Sequence, residues 1–233
     1  MGVDTAVGAA AEAASPPGRI GLFGGTFDPV HHGHLRSALE LRQALALDTV
    51  HLLPNHRPVH RGITGASSAE RLAMLRLATD GVPGLQVDAR ELDRDGPSYT
   101  VDTLEALAAG APQAVLVFFL GVDAFDGFAG WHRPERILAL AHLVVIDRPG
   151  ATLSPAASAM IRRQRRRAGV RIADARAGVI ERRSLTRLEI SATRIRTDVA
   201  AGRDVRFLLP DVTRAYIVDN RLYRTDATPT LQA

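Results

Sequence analysis

The chain reads as an α/β protein of the Rossmann-like, doubly wound kind, with a parallel sheet and a small helical extension towards its C-terminal end. Two observations predict this class. Short apolar runs recur with amphipathic stretches between them, the alternation expected when strands and covering helices follow one another. The longer runs also lack strict period-two alternation, as strands covered on both faces do. With 233 residues and 46% apolar composition, one core can bury roughly 70% of the unfolded surface.

Taken in order, Ile20–Phe23 is predicted as the first strand and Val50–Leu53 as the second. Leu85–Val87, Val115–Leu120 and Leu143–Ile146 continue the series. Leu35, Leu39 and Ala46 have the spacing of one buried helical face, and Leu72, Leu75 and Leu77 lie in a second helical segment. A third runs from Val101 to Leu107 after a start signal at Ser98. Beyond Pro149 the pattern changes. Residues 155–168 read as a helix ending in Arg162, Arg163, Arg165, Arg166 and Arg167, and an irregular stretch follows to Glu189. Residues 172–189 offer no functional reading. Two helices close the series, one from Ser191 and one from Pro210. The expected organisation is a disordered tail over residues 1–18, one domain over 19–224 and a frayed end over 225–233.

Composition removes several chemistries. The chain has no cysteine, which excludes disulfides, thiolate metal sites and a cysteine nucleophile. All 29 basic Lys+Arg residues are arginine, so a P-loop lysine and a Schiff-base lysine are excluded too. Phosphate must be met by Arg, His, hydroxyls and backbone N–H groups. The net charge of +4 suits an anionic ligand. No run of eighteen apolar residues or secretory pattern occurs, so no membrane association is expected and the cytoplasm is the expected compartment.

The most informative segment is Gly21-Leu22-Phe23-Gly24-Gly25-Thr26-Phe27-Asp28-Pro29-Val30-His31-His32-Gly33-His34-Leu35. Paired glycines directly after a strand let backbone approach a ligand closely. A helix then starts near His34, where exposed N–H groups form an anion site. His31 and His34 are three apart, so both imidazoles can face one ligand. Imidazoles can donate to phosphate oxygens and gain charge near neutral pH, which suits a transition state that accumulates negative charge. A metal pair is the alternative, but no third ligand or His-Glu-x-x-His pattern stands nearby, so no protein-bound metal is expected. The segment is neither G-x-G-x-x-G nor a Walker loop. Far downstream, Ile190-Ser191-Ala192-Thr193-Arg194-Ile195-Arg196 offers an N-cap serine, a second hydroxyl and an arginine one turn on. By itself that is an ordinary capped helix.

The string G-G-T-F-D-P-x-H-x-G-H-L resembles the signature of the H-x-G-H nucleotidylyltransferase superfamily. Ile190–Arg196 is similar to that family's I-S-x-T-x-x-R signature, which in relatives binds the triphosphate of ATP. Within the superfamily, residues 19 to 224 resemble the bacterial nicotinate-nucleotide adenylyltransferases. Pro97-Ser98-Tyr99-Thr100-Val101-Asp102-Thr103-Leu104 is similar to their S-Y-T-x-D-T-L stretch, whose middle threonine backbone meets the nicotinate carboxylate. Gly121-Val122-Asp123 resembles their G-x-D element. Trp131, the only tryptophan, matches the position that stacks on the pyridine ring, though an isolated Trp also serves as packing. Arg148-Pro149-Gly150 resembles their R-P-G turn, with Arg148 either a ligand contact or a capping neighbour. Phe207–Pro210, Tyr216-Ile217 and Leu222-Tyr223 resemble their closing helix. Where relatives have Pro-Pro-His and a basic residue, this chain has Arg57-Pro58-Val59-His60-Arg61.

The resemblance implies adenylyl transfer from ATP to nicotinate mononucleotide, with pyrophosphate released. It implies catalytic roles for His31, His34 and Arg196. Gly24, Gly25, Thr26, Phe27, Gly33, Gly121, Asp123, Ile190, Ser191 and Thr193 fall on the ATP side. Asp28, His60, Thr100, Trp131 and Arg148 fall on the mononucleotide side. Magnesium is expected to be held mainly by the phosphates of ATP. Nicotinamide mononucleotide and phosphopantetheine remain alternative acceptors. A nucleic-acid role for the Arg162–Arg167 run is disfavoured, because no aromatic interleaves with it. Oligomeric state is left open.

Overall fold

A computed structural model describes residues 18–55, 65–94, 96, 98–147, 150, 152–168, 172–186 and 188–224. The described residues form six strands: β1 Arg19–Gly25, β2 Thr49–Pro54, β3 Leu85–Val87, β4 Val115–Gly121, β5 Ala141–Ile146 and β6 Ile180–Arg183. All pair in parallel, in the order β3-β2-β1-β4-β5-β6. Eight α-helices accompany them: α1 His32–Ala44, α2 Ser68–Thr79, α3 Thr100–Gly110, α4 Val122–Asp126, α5 Pro134–Leu140, α6 Pro155–Ala168, α7 Ala192–Ala200 and α8 Asp211–Asp219.

The central strand shows why its residues alternate in role without alternating in polarity. Val115, Val117 and Phe119 of β4 enter one core with α1, α2, α7 and α8. Leu116, Phe118 and Leu120 enter the other, with α3, α4, α5 and α6. Both faces are covered, so no position needs a polar residue. Helix α2 starts on a capping box. The Ser67 hydroxyl accepts from the Glu70 N–H at 3.2 Å, and the Glu70 carboxylate accepts from the Ser67 N–H at 2.7 Å. Met74 and Leu75 then bury completely, each contributing about 1.5–3 kcal/mol.

Several expectations need correction. Helix α1 ends at Ala44, and Ala46 lies beyond it, exposed, at φ 49. Ala38 and Leu41 are the buried residues of α1, with Leu35 and Leu39 only half-buried. Leu77 is exposed, because two positions beyond Leu75 is the opposite side of a helix. Tyr99, not Ser98, caps α3, and the Ser98 hydroxyl donates to the Glu91 carbonyl at 3.4 Å. Ser191 occupies the cap position of α7 without a side-chain cap bond. The stretch before Glu189 contains β6, an edge strand with one wholly buried side chain, Ile180. Charged Glu181, Arg182 and Arg183 follow it, a composition that suits an edge but hides it from an apolar-run reading.

Order reverses between β1 and β4. The chain leaves β1 towards α1 on one face and leaves β4 towards α4 on the other. A crevice outside the carboxyl ends of the strands opens at such a switch point. The functional candidates gather there.

Candidate active site

The loop from β1 to α1 is tightly folded. Phe27 takes φ 49 and is buried, so its ring turns back under the strand end. A Cβ on Gly25 would stand 2.9 Å from that ring, and this close approach requires glycine. The Asp28–Pro29 peptide is cis. His31 caps α1 in extended backbone conformation, and its imidazole, buried, stacks on His34 with centroids 3.7 Å apart at 23°. The ring also lies over Gly33, where an added Cβ would meet its Nδ1 and Cε1 at 3.0 Å. The Phe27 ring packs edge-on to His34 at 5.0 Å. The two histidines are thus held as one unit.

A second helix start converges on the first. A Cβ on Gly33 would lie 3.8 Å from the Ile190 Cβ, which places Ile190 and the start of α7 beside the start of α1. From α7, Arg196 Nη1 donates to the Asp28 carbonyl at 2.6 Å, and its other nitrogen reaches the Thr193 hydroxyl at 3.5 Å. The anion site is less open than the sequence implies. The His32 N–H donates to the Leu208 carbonyl at 3.1 Å, and the His34 N–H turns back to the His31 carbonyl at 2.9 Å.

The remaining candidates follow β4. Gly24 lies against Phe118, since an added Cβ would stand 3.8 Å from that ring. Phe118 in turn meets Trp131 edge-on at 6.2 Å. Trp131, half-buried, also packs on Phe128 at 5.5 Å. The Tyr99 ring packs tilted against the His132 ring, with centroids 4.5 Å apart, which brings Thr100, the first residue of α3, beside the tryptophan turn. Gly121 caps α4, and Asp123 sits exposed in its first turn. His60 and Arg148 lie outside the described residues.

Two candidates face inward. Phe27 belongs to the core. Asp28 is buried, and its carboxylate accepts from the Gly65 N–H at 2.8 Å, the Ala66 N–H at 3.1 Å and the Tyr223 hydroxyl at 2.8 Å. The sequence reading missed Arg71, which is wholly buried and donates to the Thr26 and Asn55 carbonyls at 2.7 and 2.8 Å. An arginine on the Met74–Ala78 face of an apolar helix was the available signal. Reading also missed Glu91, a buried carboxyl that accepts from the Thr103 hydroxyl at 2.8 Å. Burial pushes its pKa up, against the opposing pull of Thr103 and Arg94. Among the described residues no group of three or more His, Asp or Glu side chains is placed to hold a metal ion, and no helix is long and apolar enough to cross a membrane.

A doubly wound sheet whose switch point carries two converging helix starts, paired imidazoles and an arginine defines a nucleotide-binding α/β protein. Residues 22–198 match the cytidylyltransferase-like family. A Pseudomonas putida (strain W619) protein is 48% identical over 88% of this chain and 95% of its own length. One from Chromohalobacter salexigens is 46% identical over 91% and 98%. Both are named probable nicotinate-nucleotide adenylyltransferases. The chain belongs to the cytidylyltransferase-like family and, within it, to the nicotinate-nucleotide adenylyltransferases. The Plasmodium falciparum nicotinic acid mononucleotide adenylyltransferase, solved with NaAD, shares the fold with a TM-score of 0.68. It is 15% identical, over 88% of this chain and 97% of its own.

Proposed function

We propose that this protein transfers the adenylyl group of ATP to nicotinate mononucleotide, forming nicotinate adenine dinucleotide and releasing pyrophosphate, a step of NAD biosynthesis. The observation that carries the reading is the meeting of the α1 and α7 starts around Gly33, with Arg196 bonded to the Asp28 carbonyl. The acceptor's 5′-phosphate attacks the α-phosphorus of ATP. The bond from that phosphorus to the bridging oxygen breaks, and pyrophosphate leaves. The attacking oxygen is already ionised at neutral pH, so no general base is needed. Catalysis reduces to alignment and neutralisation of charge.

His31, His34 and Arg196 are assigned to the transferring and leaving phosphates. Gly24, Gly25, Thr26 and Gly33 are assigned to ATP, with Gly121, Asp123, Ile190, Ser191 and Thr193 completing that side. Thr100, at the start of α3, is assigned to the nicotinate carboxylate, where a helix N-terminus favours an anion. Trp131 is assigned to the pyridine ring, and His60 and Arg148 to the mononucleotide. Asp28 acts from below the site, since its carboxylate is engaged internally. A magnesium ion carried mainly by the phosphates of ATP would offset their charge. The reaction belongs to the cytoplasm, where ATP is abundant.

The test is pyrophosphate release from ATP and magnesium, with nicotinate and nicotinamide mononucleotides as parallel acceptors. Strong preference for the nicotinate form is expected. Turnover with the amide alone would overturn the acceptor, and no turnover with either would overturn the pyridine-nucleotide reaction, leaving phosphopantetheine as acceptor or a non-catalytic role.

A further inference from the structure

Asp28 is the centre of a buried polar network that reaches the far end of the described chain. One carboxylate oxygen accepts from the Gly65 N–H at 2.8 Å and lies 3.7 Å from Arg196 Nη1. The other accepts from the Ala66 N–H at 3.1 Å and the Tyr223 hydroxyl at 2.8 Å. The main-chain carbonyl of the same residue takes Arg196 Nη1 at 2.6 Å. Tyr223 comes from the turn after α8, at φ 61. Burial and the neighbouring Asp28 carboxylate push its pKa far above the usual phenol range, so it stays a donor at any working pH. A Cβ on Gly65 would stand 2.9 Å from the Tyr223 ring and 3.0 Å from Arg196 Cδ. Phenol and guanidinium stem therefore flank one backbone position.

Arg71 secures the other side. Its guanidinium bonds to the Thr26 carbonyl, to the Asn55 carbonyl and to the Ser68 hydroxyl at 3.0 Å, joining the carboxyl ends of β1 and β2 to α2. Burial lowers its pKa, while Asp28 and Tyr223 act in the opposite direction. Buried charges of this kind are poor sources of net stability, because apolar packing of similar volume does as well. What the network delivers is geometry. The Gly65 and Ala66 N–H groups and Tyr223 hold Asp28, Arg71 fixes the Thr26 carbonyl two residues before it, and the Asp28 carbonyl so placed accepts from Arg196.

We propose that Tyr223, acting through the Asp28 carboxylate, and Arg71, acting through the Thr26 carbonyl of the same loop, are positioning residues for adenylyl transfer that place Arg196. The inference rests on the role assigned to Arg196 above. The turn after α8 on this account helps to position the catalytic arginine.

The experiment is a double-mutant cycle of Tyr223→Phe with Arg196→Ala, reading kcat, both KM values and the thermal midpoint. Tyr223→Phe in the parent should lower kcat roughly tenfold, the scale of one hydrogen bond to a charged group, with both KM values within about twofold. In the Arg196→Ala background the same change should lower kcat by less than about twofold. An equal loss in both backgrounds, or a lowered midpoint with unchanged kcat, would assign Tyr223 a merely structural role and overturn the inference. If Tyr223→Phe does not fold, Arg71→Lys, which keeps the charge but not the forked donors, enters the same cycle with the same expectations. A parent protein that releases no pyrophosphate would overturn the proposed function first, and this inference with it.

Discussion

The histidine end and the tryptophan end of the site are held in different ways. At the first, His31 is buried and stacked on His34, Phe27 backs the pair, and Asp28 beneath them has internal donors on both carboxylate oxygens. At the second, Tyr99 is 38% exposed, its partner His132 sits beside it, and Trp131 and Thr100 are half-buried. Under the proposed assignment the contrast separates two physical demands. Charge developing on a transferring phosphate is stabilised only by donors already in place, since reorganising them at the moment of reaction would cost the advantage. A flat ring is recognised by contact area, which tolerates small shifts of the surrounding aromatics.

The comparison can be broken most sharply at His34. His34→Ala should lower kcat by about 10²–10³ while circular dichroism and the thermal midpoint show a folded protein. Near-normal turnover in that variant would remove the histidine end from the chemistry. At the other end, Trp131→Ala should raise the KM for nicotinate mononucleotide by about tenfold and leave the KM for ATP within about twofold. A rise in both KM values would show that the tryptophan turn supports the whole crevice rather than one ring.

A third test sharpens how the tryptophan end is supported. Burial raises Glu91 above its ordinary value of 4.5, so its protonated form is favoured in the fold. The stabilisation from that preference is complete below pH 4.5 and is lost as the pH rises through the raised value. Glu91→Gln keeps an acceptor for the Thr103 hydroxyl and removes the titration. The difference in thermal midpoint between variant and parent should be constant at low pH and then move in the variant's favour above pH 4.5. A difference that ignores pH would mean that Thr103 and Arg94 fully offset the burial. The smallest expected effect belongs to Ser191→Ala. Its side chain makes no cap bond, so stability should change by less than about 0.5 kcal/mol, whereas Ser67→Ala, which breaks a capping box, should cost about 1 kcal/mol. Equal losses in chemical denaturation would place a cap at α7 after all.

Much of the histidine end was legible because its elements are consecutive. A strand, two glycines and His31-x-Gly33-His34 occupy one short stretch, and both the close approach and the shared face follow from local geometry. Arg71 and Tyr223 were not legible in the same way. Its place on the Met74–Ala78 face of α2 marks Arg71 as buried, but nothing local shows that its partners are carbonyls at the ends of two strands. The edge strand β6 escaped because an outermost strand is covered less completely and carries charge. Ala46 was misplaced because a period of 3.6 continues on paper past the residue where the chain turns back into β2.

By itself the sequence determined the alternation of strands and helices, the absence of lysine and thiol chemistry, and the two motif-bearing stretches at His31–His34 and Ile190–Arg196, since each depends on residue type and near spacing. Tertiary structure alone decided that these stretches meet. The order β3-β2-β1-β4-β5-β6 puts the ends of β1 and β4 side by side, and packing of α7 on the α1 face carries Arg196 to Asp28. It also turned Asp28 inward. Which oxygen a buried carboxylate keeps for a ligand depends on the donors that packing brings to it, and those donors come from residues far apart in the chain.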